Sequence, residues 1–100
     1  MPKDHNFLIS GKKCLWRYTK LRGKAEGWTY HDQKILIEER LKGRKRCEVE
    51  IHEFLHFANP NLSEEAVTLQ AKDLSKILWA LGYRMQSTGS NRNEIKKDAI

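Results

Sequence analysis

The stretch EIHEFLHFANPNLSEEAV, residues 50–67, holds the side chains of this chain best suited to chemistry. His52 and His56 are four residues apart, and on a helix that spacing sets both imidazoles on one face, one turn from each other. Neutral imidazole is a favoured zinc ligand. Glu53 follows the first histidine, so it points off the line of the two rings while staying within reach of a water between them. This HExxH spacing predicts a general base beside a metal. Zinc lowers the pKa of water to roughly 7 and polarises a scissile carbonyl. Glu53 is then expected to take the proton and pass it to a leaving amine.

A hydrolytic zinc site needs a third protein ligand and one open position. Cys47 does not fit, because it lies roughly 140° and 180° around the helix from His52 and His56 at about 100° per residue. His31 belongs to a strand region and has no fixed relation to the pair. The break at Asn59-Pro60 lets the following segment fold back, which brings Glu64 and Glu65 near the histidines. Glu64 sits about 60° from the middle of the next helix's apolar stripe and Glu65 about 160°. Glu64 is therefore the expected third ligand, with Glu65 as the alternative.

These side chains need elements to position them. CLWRYTK (14–20), WTYHD (28–32) and KILIEE (34–39) have strand character, with RGKAEG (22–27) as a turn. They predict two or three antiparallel strands, the last two joined near Asp32-Gln33. Residues 1–13 read as a loose arm. After Gly43 a helix is predicted over 44–58, with the apolar stripe Cys47, Ile51, Phe54, Leu55 and Ala58. Pro60 stops it. Ser63 is a good N-cap for a second helix running to about Leu81, with Gly82 ending it and Val67, Ala71, Leu74, Leu78 and Leu81 as its stripe. Residues 86–100 form a polar tail, predicted to be flexible.

A chain of 100 residues predicts one domain, over 1–85, with a thin core that a bound ion would help to hold. No apolar run approaches the roughly 20 residues that cross a bilayer, and no segment resembles a signal peptide. The expected location is the cytoplasm, where Cys14 and Cys47 stay reduced. The net charge of +6 is uneven: residues 1–46 carry 13 basic against 5 acidic side chains, and residues 47–83 carry 2 against 6. The run KGRKR (42–46) suggests a weak nucleic-acid contact through Arg44, Lys45 and Arg46. Trp16, Tyr18, Trp28 and Tyr30 are either core or a surface for stacking bases. Tyr18, Tyr30, His31, Tyr83 and Arg84 are the candidate donors to a developing oxyanion.

The segment from KILIEERLKG through IHEFLH and LSEEAV to LWALGYR (34–84) resembles short zincin-like metallopeptidases encoded mostly in bacteriophage genomes. The resemblance implies an α+β minimal zincin-like domain, with a small antiparallel sheet packed on the HExxH helix and on a second, supporting helix. It implies one Zn2+, peptide-bond hydrolysis and a protein or peptide substrate in the host cell. It also implies that KILIEE forms one wall of the cleft and pairs with an extended substrate. The chain has no third histidine of the HExxHxxGxxH kind, nor the longer spacer of larger relatives whose third ligand is a glutamate. Two other readings of the same residues are a zinc-stabilised binding module without turnover and a basic nucleic-acid-binding protein.

Overall fold

Ser10 and Gly11 both take positive φ, 51° and 81°. Two successive left-handed residues make the tight turn whose twist matches a β-hairpin, and glycine meets that demand without strain. The turn joins strands β1 (Lys3–Ile9) and β2 (Lys12–Thr19), paired antiparallel with Ile9 opposite Lys12. Most of the expected N-terminal arm is thus a strand. Its apolar residues Phe7, Leu8 and Ile9 run consecutively rather than alternating, so the turn is the sequence signal for it and the periodicity is not. The computed structural model describes residues 3–31 and 33–84. The expected joint at Asp32 and the polar tail 86–100 lie outside the described residues.

β3 (Gly27–Tyr30) and β4 (Lys34–Glu38) follow, and then α1 (Gly43–Ala58) and α2 (Glu64–Ala80). The architecture is α+β, as expected. The sheet, however, is mixed rather than wholly antiparallel. Its order is β1-β2-β4-β3, with β4 parallel to β2 and antiparallel to β3. The physical reason is burial. β4 carries Ile35 and Ile37, which the central position removes from water entirely, whereas the short β3, with Trp28 and Tyr30 half exposed, takes the edge.

Pairing partners share a face of the sheet. Cys14, Trp16, Ile35, Ile37, Gly27 and Thr29 therefore lie on one side. α1 packs on that side, across β3 and β4, and α2 packs on α1. The core between sheet and helix consists of Ile9, Cys14, Ile35, Ile37, Val49 and Phe57, with Trp16, Tyr18, Leu41 and Ala58 at its margin. At the sheet's end the buried Glu38 carboxylate accepts hydrogen bonds from the Leu21 N–H at 2.8 Å and from Arg40 Nε at 2.8 Å.

The buried side of α1 differs from the expected stripe. Val49, Glu53 and Phe57 are buried, Cys47, Ile51, Leu55 and Ala58 are half-buried, and Phe54 is exposed. The helix has two neighbours, the sheet and α2, so its apolar residues divide between two faces. On α2, Val67, Ala71 and Ser75 are buried and Leu78 is half-buried, while Leu74 and Leu81 are exposed. Ser63 caps α2 as expected, its hydroxyl accepting from the Ala66 N–H at 3.0 Å. No helix among the described residues is long and apolar enough to cross a membrane.

Candidate metal centre

α1 places His52 and His56 on one face, and the turn at 59–63 brings the first residue of α2 back against them. His52 Nε2 and His56 Nε2 stand 3.2 Å apart. Glu64 Oε2 is 3.1 Å from His52 Nε2, and Glu64 Oε1 is 2.8 Å from His56 Nε2. Two ligands of one tetrahedral zinc, each about 2.0–2.1 Å from the ion, lie roughly 3.3–3.4 Å apart. The separation of the two ring nitrogens is close to that, and each ring nitrogen has a different Glu64 oxygen beside it. Glu65 is not part of the group; among the described residues His52, His56 and Glu64 alone form such a cluster.

With Glu64 ionised, protons alone do not satisfy these three contacts. Each Nε2 either carries one hydrogen or accepts one, and an ionised carboxylate only accepts. If both rings donate to Glu64, two donors face each other across the His52–His56 edge. If one ring donates to the other, the second ring meets Glu64 lone pair to lone pair. A cation is met by all three lone-pair sets at once. The donor set of two imidazole nitrogens and one carboxylate suits zinc.

The three ligand candidates open onto a cleft of about 540 Å3, walled by β3, α1 and the start of α2. Glu53 lies on its wall, buried between α1 and β3. Thr29 Oγ1 donates to Glu53 Oε1 at 2.6 Å and stands 3.0 Å from the Glu53 backbone oxygen. A Cβ added at Gly27 would lie 2.8 Å from both Cγ and Oε2 of Glu53, so the carboxylate rests directly against the strand backbone. No sequence pattern pointed to Thr29 or Gly27. Their relation to Glu53 spans 24 residues or more and exists only after β3 has docked on the helix.

The cleft wall is β3, not KILIEE as expected. β4 is paired on both sides and has no free edge. The Glu38 N–H donates to the Glu26 carbonyl at 2.9 Å. In an antiparallel pair bonded and non-bonded positions alternate, so Gly27 and Thr29 turn their N–H and C=O groups away from β4, toward the open edge.

Of the five candidate oxyanion donors only His31 lines the cleft. The Tyr18 hydroxyl donates to Glu50 at 2.6 Å, Tyr30 sits under Lys34, and Tyr83 and Arg84 lie beyond the far end of α2. Arg44, Lys45 and Arg46 each face a carboxylate: Glu48 at 3.9 Å, Glu26 at 3.4 Å and Glu50 at 3.1 Å. Arg46 also stacks on the Tyr18 ring. Cys14 and Cys47 are free, and burial pushes both thiols up, which keeps them protonated. Comparison with family models, with curated proteins and with solved structures gives no significant match for this chain.

Proposed function

We propose that the protein is a zinc-dependent peptidase. The observation that carries this reading is the convergence of His52, His56 and Glu64 on a cleft that a buried glutamate also lines. The resemblance of residues 34–84 to short phage-encoded zincin-like peptidases agrees with it. Bound zinc would supply a Lewis acid for a carbonyl and bring the pKa of water near 7. Glu53 is the proton carrier: it accepts from the attacking water and delivers to the leaving amine. The outward N–H and C=O groups of Gly27 and Thr29 hold an extended peptide along β3 by strand addition. His31, which lines the cleft, is the proposed donor to the oxygen that gains charge.

The test combines metal analysis with two variants. Protein purified without chelator is expected to carry about one zinc per chain, and His56→Ala to lose it. Equal zinc in both sinks the reading. Glu53→Gln is expected to keep its zinc and lose hydrolysis.

One observation favours a second reading. Glu53 is buried and hydrogen-bonded to Thr29, which also suits a structural tie between β3 and α1 in a zinc-stabilised binding module. In that case Glu53→Gln leaves function unchanged.

A further inference from the structure

We propose that Thr29 and Gly27 are positioning residues for Glu53, and that they tie the proton-carrying carboxylate to the strand that holds the substrate. This rests on the peptidase reading above and adds to it how the base is held.

Three observations converge. Thr29 and Gly27 are two apart on one strand, so both present the same face to α1. Thr29 supplies a single hydroxyl proton, and the shorter of its two contacts, 2.6 Å, is to Glu53 Oε1. Gly27 supplies the absence of a side chain, since any Cβ there would meet Glu53 Cγ and Oε2 at 2.8 Å. One residue fixes the carboxylate by a bond and the other by leaving it room. Each carboxylate oxygen keeps a lone pair free of the Thr29 bond, so the carboxylate can still accept a proton while it is held.

The arrangement has a geometric consequence. A glutamate side chain has three rotatable bonds, and a general base works only within hydrogen-bond reach of the proton it takes. Burial and the Thr29 bond hold Glu53 in one rotamer. The same two residues turn their backbone groups to the free edge of β3. A peptide added at that edge is therefore set in register with the Glu53 carboxylate by the strand that orients it.

The test uses the full chain with Thr29→Val, which keeps the shape and removes the hydroxyl, and Thr29→Ser, which restores it. The first readout is made on metal-free protein: NMR side-chain couplings and carboxyl 13C shift of Glu53. Thr29→Val is expected to average the couplings toward free rotation, and Thr29→Ser to return them to the wild-type pattern. The second readout is calorimetric binding of acetohydroxamate to zinc-loaded protein, because its N–O–H proton needs an oriented acceptor beside the ion. Thr29→Val is expected to weaken this binding about tenfold, in line with loss of a hydrogen bond to a charged group, with zinc content unchanged and the serine variant recovering. Wild-type couplings in Thr29→Val, or a serine variant that behaves like the valine one, overturn the proposal. If wild-type protein binds no zinc, the peptidase reading falls, and the Glu53 couplings alone decide whether Thr29 positions the carboxylate.

Discussion

The Nε2 atoms of His52 and His56 face each other at 3.2 Å while both also approach Glu64. With Glu64 ionised, at most one proton on each Nε2 leaves one of the three contacts unmet, whereas the proposed metal ion would meet all of them. Zinc at a hundred times its dissociation constant adds about 2.7 kcal/mol to stability. In a domain of this size each kcal/mol moves the melting temperature by roughly 4–8 °C. Scanning calorimetry of wild-type protein is expected to show a rise of about 10 °C or more with zinc. His56→Ala and Glu64→Ala are expected to show almost none.

Glu53→Gln keeps the size of the side chain and removes its ability to accept a proton. Loss of a positioned general base lowers rate by about 10²–10⁴-fold. The expected outcome is that reduction in peptide hydrolysis with zinc content at the wild-type level. Unchanged turnover assigns the Thr29–Glu53 bond to structure alone.

Ser63 connects helix capping to the proposed metal site. Its hydroxyl satisfies the Ala66 N–H, and the residue after it is the candidate ligand Glu64. Ser63→Ala is expected to cost about 1 kcal/mol in denaturant unfolding. It is also expected to weaken zinc binding several-fold in competition with a chromogenic chelator, because the first turn of α2 frays. An unaltered zinc affinity would show that the Ser63 cap does not steady Glu64.

Arg40 beside Glu38, together with the Leu21 N–H, holds the Glu38 carboxyl at about 2, below its ordinary 4.5. A depressed carboxyl pKa stabilises the fold above the unfolded value, and that contribution disappears as pH falls from about 4.5 toward 2. Melting temperature is expected to drop across this window in wild-type protein and to drop less in Glu38→Gln. Parallel profiles for the two proteins would rule this source out.

The histidine pair and Glu64 were legible in the sequence because their relations are local: one helical turn, and one short break with a good N-cap behind it. The α+β class followed from strand patterns preceding two amphipathic helices. Tertiary relations were not legible. Ile35 and Ile37 revealed a strand but not that it would sit between two others, and the antiparallel expectation failed there. The stripe on α1 was misplaced because Val49 and Phe57 face the sheet while Ile51 and Leu55 form a second side. The Ser10-Gly11 turn was a usable signal for β1 that periodicity alone concealed. Thr29 and Gly27 gave no signal, since a hydroxyl and a missing side chain acquire meaning only beside Glu53.

The parallel pairing of β2 with β4, from Leu15 beside Lys34 to Thr19 beside Glu38, joins two hairpins that each close locally. Hairpins form within microseconds, whereas contacts between distant segments wait on the closure of the intervening chain. This seam is therefore expected to zip last, and until it does one rim of β4, with Ile35 and Ile37, is open to any other strand. Substitutions along the seam should be felt first as refolding yields that fall with protein concentration, through chains that capture one another before each has closed on itself.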